Sequence, residues 1–259
     1  MSTVIYPSPI FGPVHSRRLG VSLGINLMPA DGKICTFDCI YCECGFNADH
    51  RPRLHRPTRE EVREKLEQQL VKMVGEGRLP DVLTFAGNGE PTAHPDFKAI
   101  IEDTIQLRNR HCPEARVSVL SNATLAAKPS VREALLMVDN NILKLDTVNA
   151  EYIRRVNAPT GHYDVGEVVE ALKSYHGHVI IQTMFMKGRD MHGVSVDNTG
   201  EEYVGPWLAA LERIRPQEAT IYTVARETPV AGLAKAAPEV LDAIAARVQA
   251  LGIPCQVSY

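Results

Sequence analysis

Apolar residues in this chain fall into short runs, separated by stretches in which they recur every three or four positions. The runs Val21–Leu27, Val82–Ala86, Val117–Leu120, Ile142–Asp146, Val179–Met184, Thr220–Val224 and Ile253–Val257 predict strands. Most are continuous rather than alternating, the pattern of parallel strands buried on both faces. The stretches between them predict helices. Thr58-Arg59-Glu60-Glu61 has the form of a capping box, and Val62, Leu66, Leu70 and Met73 follow at helical spacing. Asp164 with Glu167 makes a similar start before Val168, Val169 and Leu172. Val240, Leu241, Ile244, Val248 and Leu251 form one stripe, opened by Pro238 and closed by Gly252. Weaker periodicity covers Asp96–Arg110, Ser130–Val138 and Glu201–Arg213. Strand–helix alternation of this kind predicts βαβ units, hence an α/β fold around a parallel sheet.

Parallel sheets place chemistry beyond the C-terminal ends of their strands. The segments that follow the predicted strands are Cys35–Cys42, Gly87–Pro91, Ser121–Thr124, Asp146–Asn149, Phe185–Arg189 and Ala225–Pro229. The most polar and unusual residues of the chain fall there. Composition narrows the picture only a little. The 259 residues carry a net charge of −3, with 44% hydrophobic and 23% charged positions, which excludes a disordered or collagen-like chain. The charge offers no global field for nucleic acid or an anionic membrane. No apolar run approaches the roughly 20 residues that span a bilayer. Met1–Phe11 has neither a basic nor an apolar leader segment, which predicts a cytoplasmic protein. Residues 1–259 are expected to form a single domain, with a core over about 20–230 and a C-terminal helix and strand over 238–258.

Four of the six cysteines, Cys35, Cys39, Cys42 and Cys44, lie within ten residues, while Cys112 and Cys255 stand apart. Clustered thiolates suit soft metals and iron–sulfur groups. Cys35, Cys39 and Cys42 follow a C-x3-C-x2-C spacing directly after the first predicted strand. Three thiolates on one loop hold three irons of a four-iron cube and leave the fourth open to a chelating molecule. The competing reading is a structural zinc site that also uses Cys44. Structural zinc usually takes ligand pairs set well apart, so four ligands in ten residues suit it poorly. Cys44 is left outside the ligand set.

This spacing, at this place in a βα chain, resembles the radical S-adenosylmethionine (SAM) superfamily. The resemblance implies a partial (β/α)6 barrel, a [4Fe-4S] cluster on Cys35, Cys39 and Cys42, and SAM on the open iron. It implies reductive cleavage of SAM, hydrogen abstraction from a substrate, and a flavodoxin or ferredoxin as electron donor. Gly87, Asn88, Gly89 and Glu90 match the family's Gly-Gly-Glu-Pro-like segment for the SAM amino group, with Asn88 in place of a glycine. Ser121 and Asn122 resemble its Thr-Asn-Gly segment; a helix cap is the other reading of these two residues. Tyr41 stands where the family places an apolar or aromatic residue against adenine. Asp146 is a candidate for the ribose or a substrate, with an ion pair to Lys144 as the competing explanation. Gln182 and Thr183 are candidates for the SAM carboxylate.

Gly12-Pro13-Val14-His15-Ser16-Arg17-Arg18, the cysteine segment and Gly87-Asn88-Gly89-Glu90-Pro91-Thr92 together are similar to the branch that contains the tRNA wyosine-base synthases. Those enzymes carry extra upstream cysteines for a second cluster, and no cysteine precedes Cys35 here. The cofactor chemistry is carried over; the tRNA substrate is not. An RNA-modifying enzyme, favoured by no feature of the net charge, a glycyl-radical activase and a non-catalytic zinc- or cluster-binding module remain as rival readings. His50, Arg51, Arg53, His55, Arg56 and Arg59 form a basic segment, read as a solvated face or as a contact for an anionic substrate or acidic partner, with Arg17 and Arg18 adding to it. Asp190–Gly200 reads as a mobile loop over the site, His192 as a surface histidine, Cys112 and Cys255 as inert thiols, and Trp207 as helix packing.

Overall fold

Strand runs and helix stripes assemble as the patterning requires. The computed structural model describes residues 3–16 and 20–259; Arg17 and Arg18, expected to add to the basic segment, lie outside the described residues. The strands of the main sheet are β1 (Ile10–Ser16), β2 (Gly20–Ile25), β3 (Val82–Phe85), β4 (Arg116–Ser121), β5 (Asn140–Lys144), β6 (Ile180–Met184), β8 (Glu218–Tyr222) and β10 (Cys255–Ser258), in that spatial order. All pair parallel except β1, which runs antiparallel to β2. A two-stranded pair, β7 (Met186–Gly188) and β9 (Leu233–Lys235), lies apart from it. The helices are α1 (Arg59–Gly75), α2 (Phe97–His111), α3 (Pro129–Met137), α4 (Ala150–Val156), α5 (Val165–Lys173), α6 (Glu201–Ile214) and α7 (Pro238–Ala250). The result is the expected α/β partial barrel, its sheet open between β1 and β10.

Strand alternation divides the side chains between two environments. Leu23, Ile25, Leu83, Phe85, Val117, Val119, Leu143, Ile181, Ala219 and Ile221 belong to the core shared with the helices. Their neighbours on the other face include Ser22, Thr84, Ser118, Lys144, Gln182 and Tyr222. Ser22 and Thr84 share a hydrogen bond of 2.8 Å, and Asn140 donates to Ser118 at 2.8 Å. The interior face is thus partly polar, where the continuous runs predicted apolar burial on both sides. The Thr58–Glu61 capping box forms at α1. Asp164 caps α5 by accepting from the Glu167 N–H. Trp207 packs as expected, edge-on to Phe185 at 5.3 Å, and donates to the Leu145 carbonyl at 3.0 Å.

Three elements depart from the sequence reading. Strand β1, which contains Gly12-Pro13, is not among the predicted strands; at a sheet edge, with a register shift between Phe11 and Val14, the missing N–H of Pro13 is tolerated. Helix α4 is only seven residues long and rests on an Asn149 cap. Asp190–Gly200 is pinned in place. Asp190 pairs with Arg155 at 3.2 Å, and Asn198 joins the Met186 N–H at 2.9 Å to the Met184 carbonyl at 2.8 Å. These bonds hold its two ends, while residues 191–195 between them are exposed.

Candidate active site

The cysteine loop follows β2 and is folded by side chains other than its cysteines. Asn47 Oδ1 accepts from the Cys35 N–H at 2.9 Å, while its amide donates to the carbonyls of Cys35 and Phe37 at 3.2 and 3.3 Å. The loop is tied to α4 by Asp38 N–H to Asn157 O at 2.9 Å and Ile40 N–H to Val156 O at 3.0 Å. Asn157, at the end of α4, also donates to Tyr41 Oη at 3.0 Å and Asp146 Oδ2 at 2.8 Å, with Cys39 Sγ 3.6 Å from the same amide nitrogen. Neither Asn47 nor Asn157 announces itself in the sequence; each acts through contacts with segments distant in the chain or with loop backbone.

Burial pushes the Cys35 thiol well up, reinforced by Glu90, and pushes Cys39 up to about 11 against the pull of Lys144. Cys42 moves the other way. A hydrogen bond from the Cys44 thiol, with help from the Lys33 ammonium, outweighs burial and lowers Cys42 to about 6. The same contact holds Cys44 protonated, and Cys44 Sγ also lies 3.5 Å from the Gly87 carbonyl, an alternative acceptor for its single proton. Among the described residues, no three His, Cys, Asp or Glu side chains converge tightly enough to hold a single metal ion. The donor set is three thiols on one loop, with Cys44 a protonated neighbour of Cys42, and it fits a cluster that takes one thiolate per iron.

The strap after β3 lies directly against this loop. Ile34 N–H donates to Asn88 O at 3.0 Å, and Glu90 N–H to Ile34 O at 3.2 Å. Gly89 has φ +141°, and a Cβ there would sit 1.8 Å from the Ile34 carbonyl, so only glycine permits this approach. Glu90 is buried, and burial raises its carboxyl against hydrogen bonds from Thr92, the Asn122 N–H at 2.7 Å and Ser121. It therefore couples the strap to the loop after β4. Asn88 turns its side chain away from the thiols. Its amide donates to Tyr6 O at 2.8 Å and Pro29 O at 2.9 Å, and its Oδ1 accepts from the Tyr6 N–H at 2.7 Å. The departure from the glycine pattern has a structural use: Asn88 clamps the N-terminal segment.

Asn122 reaches the cysteine loop, donating to Thr36 Oγ1 at 2.8 Å with Cys35 Sγ at 3.6 Å. The helix-cap reading of Ser121 and Asn122 fails, because Ser121 ends β4, Asn122 directly follows it and α3 begins only at Pro129. Asp146 and Lys144 are paired at 3.5 Å, as the competing explanation anticipated. Asp146 also accepts from Tyr41 Oη, Asn157 and the Met184 N–H. It is a buried hub between the cysteine loop and the barrel. Lys144 donates to Tyr222 Oη at 3.1 Å and lies over the rings of Tyr41 and Tyr222. Gln182 is buried beside it, in register with Lys144 on the adjacent strand. Thr183 points the other way, to the Leu145 carbonyl and Trp207, because strand alternation sets it on the helix side.

A cavity of about 650 Å³ opens beside these elements, lined by Tyr6, Tyr41, Cys42, Gly87, Met184 and Tyr222 among others. At its edge Arg226 pairs with Glu43, and Tyr6 Oη donates to Glu43 Oε1 at 2.9 Å. No residue of the basic segment lines it. Arg59 makes a two-pronged bond to Asp103 at 2.7 and 2.9 Å, and Arg56 Nη1 donates to the Ala93 carbonyl at 3.3 Å. Arg56 and Arg59 are thus engaged with the turn before α2 and with α2, while Arg51, Arg53 and His55 are exposed.

Residues 31–195 match the family model of the radical SAM superfamily. The chain belongs to this superfamily. It is 31% identical over 198 residues to a UPF0026 protein of Methanocaldococcus jannaschii, covering 74% of this chain and 58% of that one. A protein of Brachyspira hyodysenteriae named GTPase Obg is 28% identical over 224 residues, 85% of this chain and 30% of that one. The chain thus spans well under two thirds of either relative. A radical SAM methyltransferase from Sphaerobacter thermophilus superposes with a TM-score of 0.68 at 15% identity, over 92% of this chain and 66% of that one, a likeness of fold. Members of the radical SAM superfamily use a [4Fe-4S] cluster and SAM. Among the described residues, no helix is long and apolar enough to cross a membrane.

Proposed function

We propose that the chain is a radical SAM enzyme in which Cys35, Cys39 and Cys42 hold a [4Fe-4S] cluster and SAM lies between the cysteine loop and the cavity. The observation that carries this reading is the seating of the three-thiol loop at the C-terminal end of β2, sealed by Gly89 and touched by Asn122. When bound, the cluster supplies the single electron that cleaves SAM reductively. The chain's own residues do the positioning. Backbone groups of the Gly87–Glu90 strap face the loop closely enough to meet the SAM amino group, with Glu90 buried behind them to fix the strap to Ser121 and Asn122. Tyr41, anchored by Asp146 and Asn157, presents its ring to the cavity as a platform for adenine. Gln182 and Lys144 share the interior face that the SAM carboxylate or ribose would meet. Asp146 acts through Tyr41 and Lys144.

The cavity volume of about 650 Å³ falls in the range of small-molecule sites, which suits a substrate group beside SAM. A one-electron donor of flavodoxin or ferredoxin type completes the reaction. The anaerobically reconstituted protein, supplied with dithionite and SAM, is expected to release 5′-deoxyadenosine and methionine. Cys39→Ala is expected to release neither. Undiminished SAM cleavage by Cys39→Ala would overturn the assignment.

A further inference from the structure

Lys33 is an ammonium enclosed by the cysteine loop. Its side chain is 1% exposed, which a lysine tolerates only when paired. Lys33 Nζ donates to the Gly45 carbonyl at 2.5 Å and to Asp38 Oδ1 at 3.3 Å, joining the two ends of the loop that carries the cysteines. Asp38 is a quarter exposed and also accepts from the Asn47 N–H at 2.8 Å. The Gly45 carbonyl that holds the ammonium belongs to the turn closed by the Gly45 N–H on the Cys42 carbonyl at 2.9 Å, and Asp38 immediately precedes Cys39, so the charge lies inside the segment that carries the thiols. Its backbone N–H is held by the His50 carbonyl at 2.8 Å, and Gly32 beside it is packed against His50 and Pro52. A buried amine held between a carboxylate and a carbonyl is an ion-paired ammonium.

We propose that Lys33 sets the reduction potential of the cluster, its buried positive charge favouring the reduced, more anionic state. The inference rests on the assignment of the cluster to Cys35, Cys39 and Cys42. Reduction adds one negative charge to a site that three thiolates already make anionic. A cation enclosed in the same loop, in a medium of low dielectric, stabilises that added charge. Asp38 opposes it, more weakly, because water screens a partly exposed carboxylate.

The test is an anaerobic redox titration followed by EPR on the reconstituted full chain, comparing wild type, Lys33→Met, Lys33→Arg and Asp38→Asn. At a fixed potential, Lys33→Met is expected to lower the ratio of reduced to oxidised cluster about tenfold, or about 59 mV for a one-electron couple. Lys33→Arg keeps the charge and stays within about twofold of wild type. Asp38→Asn moves the ratio upward, by about threefold. Opposite signs separate a charge effect from a loosened loop. Lys33→Met with four irons and an unmoved potential overturns the proposal, and so does Asp38→Asn with a fall or no change. If Lys33→Met loses iron, the Asp38→Asn result decides alone. A wild-type protein that binds no four-iron cluster is a different outcome, and it strikes the proposed function itself.

Discussion

Replacing Gly89 by alanine tests the contact on which the site depends. The added Cβ would lie 1.8 Å from the Ile34 carbonyl oxygen, whereas ordinary contact begins near 3.4 Å, so strap and loop must part by about 1.6 Å. Parting them breaks the Ile34–Asn88 and Glu90–Ile34 backbone bonds, at about 1 kcal/mol each. Holding a residue with a side chain at φ +141° costs a further ~1–3 kcal/mol. The sum is about 4 kcal/mol. Gly77→Ala is the control: φ there is +65° with no atom within 4 Å of the added Cβ, so about 1 kcal/mol of backbone strain is expected and no loss of turnover. Urea unfolding followed by the fluorescence of Trp207, the single tryptophan, measures both variants. SAM cleavage by Gly89→Ala should fall by about 100-fold, the usual consequence of a displacement near 1 Å at a reacting centre. Gly89→Ala matching Gly77→Ala in stability and cleaving SAM at the wild-type rate would refute the reasoning.

Asn88→Gly restores the glycine pattern but frees the Tyr6 segment. It should cost about 2 kcal/mol and speed proteolysis near the N-terminus, with iron content unchanged; an unaltered digestion pattern would count against the clamp. Cys44→Ala should retain four irons per chain, whereas loss of iron equal to that of Cys39→Ala would make Cys44 a ligand. The bond from Arg59 holds the Asp103 carboxyl below the ordinary carboxylate value of 3.8, against the effect of burial. A depressed folded value means stability that is present above 3.8 and lost as pH falls through the folded value. Asp103→Asn should therefore cost about 2 kcal/mol near neutrality, and the deficit should shrink below pH 3.8 in urea titrations; a deficit independent of pH would contradict the pairing.

The strands were legible because continuous apolar runs have few other uses, and the cysteine loop because its spacing is itself the chemistry. Strand β1 was hidden by Gly12-Pro13, whose edge position no local pattern reveals. The basic segment shows the limit of charge counting: Arg59 looks free in sequence, while its partner Asp103 lies 44 residues away. Asn88 read as a blemish in a glycine motif because its use lies at Tyr6, 82 residues back. Nothing in the local sequence marks Lys33 beside the cysteines, since its burial inside the loop follows from how Asn47 and Gly45 close it. Thr183 and Gln182 looked equivalent until register placed one against Trp207 and the other in the interior.

The central claim is that three thiolates hold a four-iron cluster with one iron open to SAM. The direct measurement is iron and sulfide content of the anaerobically prepared chain, with EPR of the reduced cluster before and after SAM is added. The account predicts four irons per chain and a spectrum that changes with SAM. Zinc in place of iron, or a cluster whose spectrum ignores SAM, would contradict it.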